Sequence, residues 1–578
     1  MKELCPVCNK EYSQNVTKCK VCGFADEFGI NRKWPIAEDA ERWLNEVVKP
    51  YREEWHSKTK ENTTPQLDNE IHFNCGDEYL SKGDWDNAIT EFNEAIRLNP
   101  NHAKAYTYRG NAYMEKGNVD QAILNYDQAI KIDPNETEQY IWERGAAYGG
   151  PYYNRGGLYL QKGDYARAIA DFDMEIKLKP NIKAYVTRGD AYRKKGDWDG
   201  VIADYSEVIR LQPDNSVWFG IRGQAYLLKG DYNKAISDFN EEIRIEQNSS
   251  LPMISAFTYK NRGIAYYNQG EIDKAIADLT EAINLERNDP DMMAYFYRGR
   301  SYHDKGVADR AIADYSEAIR LDPNEATMYK YRGTAYFEKS DFDRAITDFN
   351  EAIRLDPNEA IAYNNRGYAY LQKGDLDRAI TDFNEAIRLD PNLVLAYNNR
   401  GYAYVNKGDF DRAITDFNET IRLDPNDAIA YYNRGDAYFE KSDFDRAIAD
   451  YSEAIRLDPN LALAYYNRGD AYQHKGDYNK AIADFNETIR LDPNHAIPYK
   501  KRGDAYFEKS DFDRAIADYS EAIRLDPNLV LAYNNRGYAY FSKGNFTKAI
   551  VDFEAALRLD PNNADIKRGL EMARQAQR

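Results

Sequence analysis

The sequence predicts an all-α solenoid of about fourteen helix-turn-helix units, with a separate cysteine-paired segment at its start. Three observations lead there. From Gly299 to Gly537 the dipeptide Arg-Gly recurs every 34 residues, and a period of this size marks stacked supersecondary units that build their core between neighbours. Within each period, apolar residues at helical spacing are divided by a turn signal. Four of the five cysteines fall in two close pairs within the first 22 residues.

The glycine can be followed upstream through Gly263, Gly223, Gly189, Gly156, Gly110 and Gly76, with steps from Gly76 of 34, 46, 33, 34, 40 and 36 residues. The period Ala360 to Leu393 shows the logic. Tyr363, Arg366, Gly367 and Tyr370 lie at i, i+3, i+4 and i+7, one face of a first helix. Gly374 is suited to close that helix in the left-handed region, and Asp375 to accept the amides that open the next. Ala379, Ile380, Phe383, Ala386, Ile387 and Leu389 form the second face, and Asp390-Pro391-Asn392 ends it.

Two helices in 34 residues, with Tyr, Gly and Tyr on the first and Ala, Phe or Tyr, Ala and Pro on the second, resemble the tetratricopeptide repeat from about Asn69 to Asn563. The resemblance implies a right-handed superhelical solenoid whose inner, concave wall is made by first helices. One departure is systematic. Where the family usually has an apolar residue before the glycine, thirteen units have Arg, and all of these but the second have an Asp one residue before the aromatic of the second helix, as in Arg366 with Asp382 and Arg400 with Asp416. Two readings stand: a row of anion-binding arginines, or a repeated buried ion pair that sets helix register, since an unpaired buried Arg is costly. In the first unit Cys75 and Glu91 take these places, with His72 nearby as a coincidence rather than a ligand; in the second, Arg109 faces Asn125.

Composition agrees with a long repeat array. The 48 tyrosines are explained by repeat packing, and 96 acidic against 77 basic residues disfavour a broad phosphate-facing surface. No apolar run approaches 18 residues, and Met1-Lys2-Glu3-Leu4 runs directly into a cysteine motif rather than a signal sequence, so a cytoplasmic location is the expectation.

Cys5-Pro-Val-Cys8 and Cys19-Lys-Val-Cys22 are separated by ten residues. Each pair suits a tight knuckle that turns two sulfurs to one ion, and tetrahedral zinc takes four thiolates. About thirty residues with so few apolar side chains need such ligation to fold, which supplies roughly 10–16 kcal/mol in structural zinc peptides. The segment resembles a short zinc ribbon. Two disulfides are the alternative, disfavoured by a reducing compartment. A closed four-thiolate site leaves no place for a catalytic water. The expected domains are the ribbon at 1–30, an amphipathic helix and linker at 31–68, the repeat array at 69–563 and a capping helix at 564–578. Within the second, Ala40, Trp43, Leu44, Val47, Val48, Tyr51 and Trp55 follow helical spacing, and Lys58 to Pro65 reads as polar linker.

The uneven steps mark edited places. Thr137 to Tyr148 contains Arg144-Gly145-Ala146-Ala147-Tyr148, the start of a unit without its second helix, and predicts an orphan first helix. Ser250 to Ser255 and Asp289 to Asp291 predict lengthened turns. Downstream, Gly435 to Leu461 recurs unchanged as Gly503 to Leu529.

Near-identical units place identical side chains in rows. In resembling arrays the residue two before the glycine faces the concave wall; here it is Asn365, Asn399, Asn433, Asn467 and Asn535, interrupted by Lys501, with Asn74, Asn154 and Asn261 upstream. An amide offers both donor and acceptor, so such a row can bind the backbone of an extended peptide; the other reading is solvated residues copied with their units. Similar asparagine ladders occur in the repeat arm of the O-linked N-acetylglucosamine transferases, whose catalytic domain has no counterpart in Ala564 to Arg578. Tyr368, Tyr402 and Tyr538 one turn on offer aromatic surface, whereas Asp436, Asp470 and Asp504 predict an acidic stretch that favours basic peptides. The Lys, Asn, Asn, Lys, Arg clamp of related chaperone adaptors does not assemble in successive units.

No P-loop, H-E-x-x-H or G-x-S-x-G motif occurs and the six histidines are dispersed. The sequence therefore predicts a non-catalytic scaffold with protein or peptide partners on its concave face and structural zinc. The alternative is a nucleic-acid- or ribosome-associated adaptor, with the ribbon as reader and the repeats recruiting protein.

Overall fold

Each 34-residue period folds as a helical hairpin because a left-handed residue and a capping carboxylate break the helix at its midpoint. In the period of Gly367, the helices Ala360–Gln372 and Leu376–Leu389 flank Lys373-Gly374-Asp375. Gly374 sits at φ 79°, the left-handed region that costs a residue with a Cβ about 1–2 kcal/mol. Its N–H donates to the Leu371 carbonyl, and that of Asp375 to Tyr370, each at 2.9 Å. The Asp375 carboxylate then accepts from the Arg378 N–H at 3.2 Å, satisfying an amide that the helix itself leaves open. An Asp or Asn caps twelve of the fourteen described second helices in this way; Glu271 and Val307 leave theirs without a side-chain cap.

The structure, a computed structural model, describes residues 3–4, 11–12, 65–135, 140–141, 147–248, 255–286 and 291–578. Cys5, Cys8, Cys19 and Cys22, the stretch from Ala40 to Trp55, and most of the insertions before Ser255 and Asp291 lie outside the described residues. Among the described residues there are 29 helices: fourteen hairpins and a last helix, Ala564–Gln577. None is long and apolar enough to cross a membrane. The hairpins fall into two bodies, Met1–Arg287 with repeats 1 to 6 and Asn288–Arg578 with repeats 7 to 14.

Packing within a hairpin rests on the repeated glycine. A Cβ at Gly367 would lie 2.8 Å from Cε1 of Phe383, and one at Gly435 equally close to Tyr451. The missing side chain lets the two helices approach until the aromatic ring is covered, and Phe383, Ala379 and Ala386 are fully buried. Ala403 of the following repeat joins Leu371, Ala379 and Phe383 in one apolar cluster, so within a body part of a hairpin's core is completed by its successor. At the end of the chain Ala564–Gln577 takes that role: Ile566, Leu570 and Ala573 cover Ala549, Phe553 and Ala556, and Gly569 lies over Phe553 as a first-helix glycine would.

The orphan helix expected between Thr137 and Tyr148 is corrected. Tyr140–Ile141 pairs antiparallel with Ala147–Tyr148. Without a second helix to bury its apolar face, a short helix there lacks the packing that supports helices of this length, and Tyr140 and Ile141 are residues that suit extended backbone. A second short ladder joins Glu3–Leu4 to Glu11–Tyr12. The first repeat begins at Pro65, earlier than Asn69, with proline at the opening position of helix Pro65–Lys82.

Candidate functional site

The row of arginines is consumed internally. In repeats 3 to 14 each donates Nε and Nη2 to the two oxygens of the aspartate sixteen residues on, as Arg366 does to Asp382 at 2.8 and 2.7 Å. The remaining nitrogen reaches back: Nη1 of Arg366 donates to Asn350 at 2.7 Å, that of Arg400 to Asn384 at 2.6 Å, and that of Arg332 to Ser316 at 3.0 Å. One guanidinium thus ties its own second helix to that of the preceding repeat. Burial acts to lower the pKa of Arg366, and Asp382 more than offsets it. These arginines are register clamps, and the anion-binding reading falls away.

The first repeat makes the bond within its hairpin, and the second makes the whole link, with other residues. His72 Nδ1 lies 2.7 Å from Glu91 Oε2, so the histidine takes up the acid that Cys75 cannot. Arg109 donates to Asn125 and Asn93 at 2.7 and 2.6 Å. With no carboxylate beside it, burial pushes the Arg109 guanidinium down.

The asparagines two before the glycine, in repeats 9 to 12 and 14, are half-buried, and those of repeats 10, 11, 12 and 14 are tied sideways to the preceding repeat. Nδ2 of Asn399 donates to Asn364 Oδ1 and that of Asn433 to Asn398 Oδ1, each at 3.0 Å. Asn467 donates to Asp436 at 2.7 Å and to the Tyr432 hydroxyl at 3.1 Å. Asn535 donates to Asp504 at 2.8 Å and accepts from Asn534 at 3.1 Å, while Asn365 accepts from Asn364 at 3.2 Å. The supporting residues, Asn364 and Asn398, stand three before the glycine. Sequence reasoning passed over them because their role exists only between repeats. Upstream only Asn74 is half-buried like them: Asn154 is buried and bonded to Asn111 and the Gly149 backbone, and Asn261 is buried. Tyr368 and Tyr402 are 36% and 47% exposed.

The expected acidic stretch is corrected. Asp436 accepts from the Tyr451 hydroxyl and from Asn467, each at 2.7 Å, and burial raises its pKa. Asp504 holds the Tyr519 hydroxyl at 2.9 Å and Lys500 at 2.7 Å; Asp470 holds Lys501 at 2.6 Å. Two of the three charges are paired and the third satisfies a buried tyrosine, so the face does not present three open carboxylates to a basic ligand. A further row on the outside, missed at the sequence level, links Lys373 to Asp343, Lys407 to Asp377 and Lys441 to Asp411. These pairs are exposed and each contributes little to stability.

Family profiles described as tetratricopeptide repeat match residues 186–250, 260–326, 332–393 and 398–462, residues 103–136, 462–495 and 530–563, and residues 150–181; a profile described as TPR repeat matches 76–117 and 503–544. No curated protein matches. Among solved structures, similar chains include one from the APC/C hetero-tetramer Cut9-Hcn1, 16% identical over 82% of this chain and 96% of that one, with TM-score 0.36. YrrB, described as a TPR protein with an unusual peptide-binding site, is 25% identical over 32% of this chain and 95% of its own, with TM-score 0.29. Yeast Tom70 is 17% identical over 74% and 95%, with TM-score 0.32. With the hairpin geometry and the profile matches in agreement, the chain belongs to the tetratricopeptide-repeat family.

Proposed function

We propose that the chain is a non-catalytic scaffold that binds extended peptides or protein partners along its first-helix face, the concave wall of resembling arrays. Asn365, Asn399, Asn433, Asn467 and Asn535 contact the ligand backbone, and Tyr368 and Tyr402 pack against its side chains. One observation carries this reading: the Nδ2 groups of Asn399, Asn433 and Asn467 are spent on the preceding repeat, which orients the amides and leaves Oδ1 of each without an internal donor. Acceptors held in advance bind a peptide N–H without a further ordering cost.

Cys5, Cys8, Cys19 and Cys22 are proposed to hold one structural zinc ion as a closed thiolate site, and any nucleic-acid contact would run through that module rather than the acidic array. The test of the main reading is a random-sequence peptide library presented to the full chain and to a variant with Asn365, Asn399, Asn433 and Asn467 all changed to Ala. Selection of peptides by the native chain and their loss from the variant is expected. Equal selection by both removes the asparagine row from the function.

A further inference from the structure

The same first-helix face carries a row that the amides do not explain. Six before the glycine stand Ile361, Leu395, Ile429, Leu463, Ile497 and Leu531. Leu395, Leu463 and Leu531 are 60%, 56% and 53% exposed, and Ile361 and Ile429 are nearly half exposed. One exposed aliphatic residue on a helix needs no explanation, but an aliphatic residue at one position through six successive repeats, exposed in all but the half-buried Ile497, makes a stripe. Ile361, Asn365 and Tyr368 lie at i, i+4 and i+7, so the aliphatic row runs beside the amide row on a shared face. The face is continuous within the body Asn288–Arg578: repeat 10 is bonded to repeat 9 through Asn399 and Asn364, repeat 11 to repeat 10 through Asn433 and Asn398, and so on to Asn535 and Asp504.

Spacing then selects the ligand. Successive first helices are bonded to each other through Asn399 and Asn433, and helices in side-by-side contact lie about 8–10 Å apart, so one aliphatic contact recurs at that interval, joined in repeats 10 to 12 by an asparagine Oδ1 without an internal donor. An extended β-strand returns to the same face every two residues, about 6.6–6.8 Å, and loses register after one repeat. An α-helical ligand spends its backbone N–H groups internally and has none for the amides. A polyproline II segment has three residues per turn at about 3.1 Å each, a return of about 9.3 Å, and makes no internal hydrogen bonds.

We infer that this face takes a peptide in the polyproline II conformation with an apolar side chain at every third residue. The apolar side chains lie on the aliphatic row, and across repeats 10 to 12 one backbone N–H per triplet donates to the Oδ1 of Asn399, Asn433 or Asn467. Proline is therefore accepted at the two other positions of the triplet and refused where that N–H is needed. Because Asp436, Asp470 and Asp504 are already engaged, the ligand requires no basic residues. The inference rests on the peptide-binding reading above and adds its register.

The test uses the full chain and fluorescein-labelled peptides built from leucine-proline-serine triplets, one triplet per repeat, beside an isomer of the same composition whose leucines stand at alternate positions over the first two-thirds of its length. Fluorescence polarisation is expected to show the triplet peptide bound at least about tenfold more tightly, a difference that one buried aliphatic contact can supply. Changing both Leu395→Ser and Leu463→Ser should erase that preference; Val551→Ser, an exposed aliphatic on a second helix, should not. Circular dichroism confirms that each variant is folded. Equal affinity for the two isomers, tighter binding of the alternating one, or binding of neither overturns the inference. If the random library yields ligands without three-residue periodicity, the register fails and peptide binding stands; if it yields no ligand at all, both fail.

Discussion

Tyr451 donates its hydroxyl to Asp436 at 2.7 Å, and the pairing recurs as Tyr519 with Asp504 at 2.9 Å and Tyr205 with Asp190 at 3.5 Å. The tyrosine lies beneath the repeat glycine on the second helix, and its acceptor is the residue after that glycine. Where the ring is Phe383, Phe417 or Phe553, the residue after the glycine is Tyr368, Tyr402 or Tyr538. A buried hydroxyl needs an acceptor, whereas a phenylalanine leaves that place open for another aromatic. Tyr451→Phe is expected to destabilise the second body by about 1–2 kcal/mol, and adding Asp436→Tyr, which recreates the pairing of Phe383 with Tyr368, should recover most of the loss. Urea denaturation of both variants measures it. Additive effects would show that the two positions are independent.

Arg366 bridges Asp382 and Asn350, and Asp382 is 5% exposed. Arg366→Leu leaves that carboxylate buried without its partner and is expected to cost about 3–5 kcal/mol, whereas Arg366→Leu with Asp382→Leu should cost far less. The comparison of denaturation midpoints checks this. A double variant as unstable as the single one would mean that the arginine acts through packing alone.

Three turns depart from glycine. Ser340, Ser442 and Ser510 adopt φ of 60°, 60° and 59°, where Gly374 and Gly408 stand in neighbouring repeats. Ser442→Gly is expected to stabilise by about 1 kcal/mol, since it removes left-handed strain at a smaller loss of chain entropy. A midpoint unchanged or lowered would place the serine hydroxyl in an offsetting role.

Glu242 stands where other second helices carry Ala352 or Ala386. Burial pushes its carboxyl up from 4.5 to about 7; the Thr258 hydroxyl opposes the rise, while Glu246 and Asp238 add to it, and Oε2 has no hydrogen-bond partner. The folded state thus favours the protonated acid. Its contribution to stability is full below about pH 4.5 and is lost as pH rises through about 7, about 3 kcal/mol in all. Thermal melts should show the first body weakening between pH 5 and 8, and Glu242→Gln should raise stability at pH 8 with little change at pH 5. Identical pH dependence in the variant would count against this residue as the source.

Zinc content is checked on the intact chain. One metal ion per chain is expected, falling to none when Cys5 and Cys8 are both changed to Ser, with thiolates competing for protons so that binding weakens below neutral pH. Full occupancy in that variant would exclude the four-cysteine site.

The period, the hairpins and the helix faces that carry Gly367 and Phe383 could all be read from one dimension, because helix spacing, turn residues and proline act over a few neighbours along the chain. The capping role of Asp375 was legible for the same reason. The fate of polar side chains was not. Arg366 offered two roles until its aspartate and the Asn350 of the preceding repeat were placed around it, and Asn399 became an oriented acceptor only beside Asn364. Likewise, the stretch from Thr137 to Tyr148 carries a first-helix pattern, yet Tyr140–Ile141 and Ala147–Tyr148 pair as strands where no second helix covers them. Local chemistry settles which backbone forms. Which partner a buried charge or amide takes depends on atoms a repeat away in space, and that arrangement exists only once the hairpins have stacked.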